Sequence, residues 1–394
     1  MKYGYVLLCL LIFQCLLGQE KKTIEILPQV KTGAEQLDKY LPLLKGKKVA
    51  LIVNQTSLIN QTHLVDTLMQ LGVQIQKIFA PEHGFRGNAS AGAAIHNSVD
   101  ELTDLPIISL YGKNKKPTSE MLRNIDLLIF DIQDVGVRFY TYISTMHLAM
   151  EAAAQNNVEF LILDRPNPNG FFIDGPILDE NYKSFVGMHP IPLVHGCTVG
   201  ELAQMIIGEK WMEISDAFRL KIIRCKNYTH ATRFIPKVKP SPNLPNIQSI
   251  YCYPTLGLFE GTKISVGRGT DLPFQQIGYP ENPIKNCQFF PKSIPGVAIR
   301  PKFENETCFG QKFESQDDNE ILGRISVGLL IKYYHSFKPQ NDFFLKSFDL
   351  LAGTDKLRTS IKIGTSEKDI RKSWENGLRE YREKRKKYLL YPEK

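Results

Sequence analysis

The chain has 394 residues, with 49 Lys and Arg against 41 Asp and Glu, a formal charge of +8. That length predicts two domains, with chain enough for a substantial core. With 43% hydrophobic and 23% charged residues the composition excludes a disordered chain, and the excess charge must be located before it is given a meaning.

Lys2 precedes an apolar run from Tyr5 to Phe13, followed by Gln14 to Gln19 and then Lys21-Lys22. The run is too short to span a bilayer. It predicts a secretory signal over residues 1–18, cleaved near Gly18-Gln19, and so an exported mature protein without stable membrane insertion. Export makes the cysteines informative. Cys197, Cys225, Cys252, Cys287 and Cys308 lie beyond the signal, odd in number and irregular in spacing, with no CxxC. Buried free thiols are expected, with at most one bridged pair, and neither a disulfide framework nor a zinc cluster.

Short β-branched, apolar runs follow at Val49–Val53, Val73–Phe79, Pro106–Leu110, Leu127–Phe130 and Phe160–Leu163. Helical patterns lie between several of them, over His63–Leu71, Ser119–Asn124 and Thr145–Asn156. Near-continuous apolar strands alternating with helices predict an α/β fold, a Rossmann-like, doubly wound, mostly parallel sheet. No GxGxxG follows the first strand, so no dinucleotide cofactor is expected. The strands end in polar clusters: Asn54-Gln55, Pro81-Glu82-His83, Tyr111-Gly112, Asp131–Asp134 and Asp164–Asn167. Ligands of open α/β sheets bind beyond the carboxyl ends of the strands, so these clusters are expected to converge on one crevice.

Beyond Asn169 the chain turns rich in Gly and Pro. Thr198 with Glu201 three residues on predicts a capping box for a helix over Val199–Gly208. Pro240–Pro245 reads as an extended connector, and a boundary is placed just beyond it, near Tyr253-Pro254. The catalytic domain then covers 45–253 and a smaller α+β domain 254–394, with helices predicted over Asn319–Tyr334 and Glu367–Leu389. From Glu367 to the end, ten Lys or Arg face six Asp or Glu, a net of +4 that holds half the excess charge. Mixed signs around Leu378, Tyr381 and Leu389 predict a solvated amphipathic helix and not a nucleic-acid surface.

Seven stretches in order carry a resemblance. They are Ala80-Pro-Glu-His-Gly-Phe-Arg-Gly87, Ser109-Leu-Tyr-Gly112, Asp131-Ile-Gln-Asp-Val-Gly-Val-Arg-Phe-Tyr-Thr-Tyr142, Leu163-Asp-Arg-Pro-Asn-Pro168, His195-Gly-Cys-Thr-Val-Gly-Glu-Leu202, Ser241-Pro-Asn-Leu-Pro245 and Phe259-Glu-Gly-Thr-Lys-Ile-Ser-Val-Gly-Arg-Gly-Thr270. Together they resemble the exo-β-N-acetylmuramidases of the NamZ type over nearly the whole mature chain. The resemblance implies a hydrolase that releases N-acetylmuramic acid from the non-reducing ends of peptidoglycan fragments, acting in a cleft between a Rossmann-like domain and a smaller one. Cys197 stands where the family usually has Met, and reads as a packing residue. Lys263 stands where Asn is usual.

Glycoside hydrolysis needs a proton donor and a second group that attacks or stabilises the anomeric carbon. Glu82, at a strand end and followed by Gly84 and Gly87, is the expected donor, and the acidic residue of this motif is the family's proposed catalytic one. Asp131, Asp134 and Asp164 compete for the second role, which in a 2-acetamido sugar extends to orienting the substrate's own carbonyl. The lactyl carboxylate of muramic acid calls for an arginine, from Arg86, Arg138 or Arg268. Tyr140 and Tyr142 are expected to flank a sugar face. His83, Asp164, Arg165, His195 and Glu260 complete the expected substrate contacts. Two other readings stand beside this one: a metallohydrolase using His83, His195 and Asp131, and a muropeptide-binding protein without catalysis.

Overall fold

The computed structural model describes residues 29–82, 84–86, 97–112, 114–214, 218–314 and 321–394. The proposed signal, residues 1–18, lies outside them, as does His83. The apolar runs become a central sheet of seven strands: β1 (Lys48–Val53), β2 (Gln74–Ala80), β3 (Ser98–Val99), β4 (Pro106–Ser109), β5 (Leu127–Asp131), β6 (Glu159–Leu163) and β7 (Leu220–Ile223). Their order across the sheet is β7-β6-β5-β1-β2-β4-β3. All pairs are parallel except β3 with β4 at the edge. Every residue of β5, and all but Lys48 of β1, is buried, as strands covered on both faces require. The chain leaves β1 in one direction through β2 and β4, and returns to its other side at β5. The switch point therefore lies between β1 and β5, where an open α/β sheet forms its crevice.

Helix α1 (Tyr142–Gln155) starts at this end of the sheet and buries most of its length, with Ala149, Ala152 and Ala153 allowing close approach to the strands. Helix α2 (Val199–Gly208) carries the expected capping box, Thr198 accepting from the Glu201 amide and Glu201 accepting in return from the Thr198 amide. The helix expected over Ser119–Asn124 is a series of turns instead, and Asn124 closes it at φ +60. So short a stretch closes too few i→i−4 bonds to offset nucleation.

Helix α3 (Ile247–Leu256) is capped by Asn246 and runs through Tyr253-Pro254, the point chosen as the boundary. Beyond it Gln276–Tyr279, Cys308–Lys312 and Cys287–Phe289 form a separate three-stranded antiparallel sheet. The helix expected over Asn319–Tyr334 is found as α4 (Val327–Ser336); residues 319 and 320 lie outside the described ones. Gly323 at φ +71 interrupts the pattern, and Ser326 caps the helix that does form. The last helix, α5 (Glu367–Lys386), buries Ile370, Trp374, Leu378, Tyr381 and Arg385 on one face. The five cysteines beyond the signal are free thiols. No helix among the described residues is long and apolar enough to cross a membrane.

Candidate active site

Strand β2 sits between β1 and β4, so residues just past its end and just past β4 emerge side by side. Glu82 is two residues beyond β2, and Tyr111 is two beyond β4. Gly84 reverses the chain at φ +78 and returns its amide to the Pro81 carbonyl at 3.0 Å, which holds the turn carrying Glu82. The Tyr111 phenol hydrogen-bonds the Glu82 carboxylate. Burial, and then that carboxylate, push the phenol up to about 12. Thr141 stands at the N-cap of α1 but does not cap it; its hydroxyl donates to Glu82 Oε2 at 3.3 Å. The Tyr142 hydroxyl donates to the Glu82 carbonyl, also at 3.3 Å. Side chains from beyond β4 and from the start of α1 thus hold Glu82, two of them at its carboxylate.

Glu82 lines two adjoining chambers. The inner is walled by Tyr140, Tyr142, Ser241, Leu244 and Phe274. The outer is walled by Tyr111, Lys115, Phe185, Glu260 and Leu351. Phe139, Thr141, Tyr253 and Arg268 border both. Tyr140 meets Tyr142 edge to face, centroids 4.9 Å apart, and fastens its hydroxyl to the Pro240 carbonyl at 2.7 Å. Arg268 Nε donates to Glu260 Oε1 at 2.7 Å, and the guanidinium lies over Phe274. The turn bearing Glu260 is itself anchored. Lys302 Nζ donates into four carbonyls, of Phe259, Glu260, Thr262 and Ile264, at 3.2, 3.0, 2.5 and 3.1 Å. Burial draws that ammonium down to about 8.

Of the residues singled out from sequence, Glu82, Tyr140, Tyr142, Glu260 and Arg268 line these chambers. Asp131, Asp134, Arg86, Arg138, Asp164, Arg165 and His195 do not, and most of them bond to other parts of the fold. Asp131 is fully buried and holds Arg165 through two bonds of 2.6 and 2.9 Å. Asp164 accepts from the Tyr391 hydroxyl, the Thr198 hydroxyl and the Gly200 amide, which makes it the anchor of α2. Arg138 is fully buried and donates to the carbonyls of Pro176, Ile191, Leu351 and Ala352. Arg86 clasps Asp100 with two bonds of 2.9 Å.

Asp134 and His195 form a different kind of pair. Asp134 Oδ1 accepts the Gly136 amide at 2.6 Å, while Oδ2 is buried without a partner. His195 Nε2, 3.9 Å from Oδ1, is buried without a partner as well. Burial pushes the Asp134 carboxyl up to about 7 and His195 down to about 3. The turn between them needs Gly136 at φ +76, since a Cβ there would stand 2.3 Å from the Asn167 side chain. No group of three or more His, Cys, Asp or Glu among the described residues is arranged to hold a metal.

Sequence reasoning placed Tyr111 in a strand-end cluster but named neither it nor Thr141 and Tyr253 as site residues. The first two sit inside motifs quoted above, and only the parallel pairing of β2 with β4 brings Tyr111 to Glu82.

Residues 49–248 match the family described as "Exo-beta-N-acetylmuramidase NamZ, N-terminal", and residues 251–391 the family described as "Exo-beta-N-acetylmuramidase NamZ, C-terminal". The chain is 43% identical over 390 residues to the peptidoglycan beta-N-acetylmuramidase NamZ of Bacillus subtilis (strain 168), covering 92% of each. Two crystal structures of DUF1343 family proteins from Bacteroides fragilis NCTC 9343 are similar. One has a TM-score of 0.85 at 44% identity and spans 93% of this chain and all of its own. The other has a TM-score of 0.80 at 32% identity and spans 92% of this chain and all of its own.

Proposed function

The chain belongs to the exo-β-N-acetylmuramidase NamZ family, and on that premise we propose that it is a glycosidase releasing N-acetylmuramic acid from the non-reducing ends of peptidoglycan fragments. The observation that carries this reading in the chain itself is the placement of Glu82 at the junction of two chambers walled by aromatic rings. Glu82 gives its proton to the departing glycosidic oxygen, and Thr141 and Tyr111 hold the carboxylate left behind. Tyr140, Tyr142 and Tyr253 supply flat faces for the sugar, and Arg268 meets the lactyl carboxylate. Glu260 keeps that guanidinium in place. The apolar segment before Lys21 supports export, so the working location is the periplasm or the medium.

The test is product identity. Muropeptides with muramic acid at the non-reducing end should lose one free N-acetylmuramic acid per chain, while chains ending in N-acetylglucosamine should resist. Equal cleavage of both, or internal cuts that yield only disaccharides, would overturn the exo-muramidase reading. N-terminal sequencing of the exported protein should begin near Gln19; recovery of Met1 would overturn the signal.

A further inference from the structure

A second basic cavity lies away from Glu82. It is bordered by Gly170–Ile173 beyond β6, by His230, Ala231 and Arg233, and by Arg382, Arg385 and Glu393. Its three guanidiniums are unequally committed. Arg385 is buried, giving Nε and Nη2 to the Gly196 carbonyl and Nη1 to Glu393 at 2.6 Å. Arg382 makes one long bond, of 3.4 Å, to the Ile173 carbonyl. Arg233 is exposed and laid on the Phe171 ring, 3.3 Å from its centroid. Neither Arg233 nor Arg382 meets a carboxylate among the described residues. A guanidinium held by its face against a ring keeps its in-plane N–H edge for an incoming oxyanion.

His230 adds a second, independent observation. The ring is buried, and its Nε2 donates to Glu201 Oε1 at 3.0 Å. The opposite nitrogen, Nδ1, has no partner, and it lies 3.4 Å from where a Cβ on Gly170 would stand, so both residues meet at the cavity wall. With Nε2 carrying the proton, Nδ1 is an acceptor waiting for an N–H or O–H. A buried polar atom left so is costly unless something completes it.

We propose that this cavity binds an organic carboxylate with a hydrogen-bond donor a few atoms away. Arg233 and Arg382 take the carboxylate, His230 Nδ1 takes the donor, and Phe172 and Ile173 cover the apolar part between. An acylated amino acid and an acid sugar both present this chemistry; inorganic phosphate lacks the donor and the apolar body. The site shares no lining residue with the Glu82 chambers, so it stands whether or not the glycosidase reading does.

Calorimetric titration of the full chain separates the sources, with L-Ala-D-Glu as the peptide arm, N-acetylmuramic acid as the sugar arm, and phosphate and N-acetylglucosamine as controls. The double variant Arg233→Ala/Arg382→Ala alters two exposed side chains and should keep wild-type glycosidase turnover, which reports that it is folded. Carboxylate binding in it should weaken at least tenfold, and in the wild type it should weaken as salt is raised. His230→Phe should lower affinity while leaving the salt dependence unchanged. An isotherm unaltered by the double variant would overturn the proposal. Phosphate binding as tightly as both carboxylates would overturn it too, because the donor contact would then carry nothing.

Discussion

Two sets of charged residues stand past the carboxyl ends of the same parallel strands, and they do opposite things. Around Glu82 the carboxylate faces open chambers and is touched by hydroxyls from Tyr111 and Thr141. Two or three strands away, Asp131, Asp164 and Arg138 are wholly buried and each makes two or more hydrogen bonds to other parts of the protein. Strand-end position is common to both sets. What separates them is what the charged group faces: Glu82 borders two chambers, while the other three lie wholly inside the protein. A charge enclosed by the fold holds loops together; a charge facing a cleft can act on something else.

That contrast can be broken most sharply at Glu82. Glu82→Gln should lower kcat on a para-nitrophenyl β-N-acetylmuramide by about 10²–10⁴-fold, as loss of a general acid does, with the unfolding midpoint nearly unchanged. Retained turnover would remove Glu82 from the acid role. Asp131→Asn should do the reverse, because it leaves Arg165 buried without its partner. Unfolding in urea should show a loss of about 3–5 kcal/mol, with turnover per folded molecule largely kept. A fully stable but inactive Asp131→Asn protein would erase the distinction drawn here.

Arg268→Ala probes the cleft set at smaller scale. It should raise KM about 10–100-fold for muramic substrates and leave kcat closer to wild type, since one charge-assisted contact is removed. Loss in kcat alone, with KM unchanged, would place Arg268 elsewhere in the reaction. The smallest effect is expected at Asp134, where pH supplies the readout. Its carboxyl titrates near 7 in the fold because it is buried, and near 4 in the unfolded chain. Between those values the folded state keeps a proton that the unfolded state has lost, so stability falls as pH rises. Asp134→Asn should therefore be more stable than the parent at pH 8, by about 1–3 kcal/mol, and equal to it at pH 4. Equal stabilities at both values would mean that Asp134 ionises freely.

Much of the sheet was readable from period and composition alone. The runs at Val49, Leu127 and Phe160 are uniformly apolar because both faces are covered, and the Thr198–Glu201 spacing placed a helix start to the residue. The crevice was legible only in part, since of the five polar strand-end clusters just those of Glu82 and Tyr111-Gly112 line it. The partners were not. Asp131 and Arg165 lie 34 residues apart in the chain, and Arg138 bonds Ala352 across 214, separations over which no pattern predicts a contact. Arg138 looked like a carboxylate reader because arginine so often is one. Its actual partners are backbone carbonyls, which every residue carries and no sequence distinguishes. The same holds for Tyr111, whose meeting with Glu82 depends on strand order and not on spacing.

Lys302 has one consequence beyond anchoring a turn. Four converging carbonyls are the kind of cage in which proteins otherwise hold a sodium or potassium ion. Here the cation is covalently tethered, so it cannot be exchanged or diluted away. The turn that presents Glu260 to Arg268 therefore owes nothing to the monovalent ions outside. The ion pair of Glu260 with Arg268 thus keeps its alignment in dilute and concentrated surroundings alike.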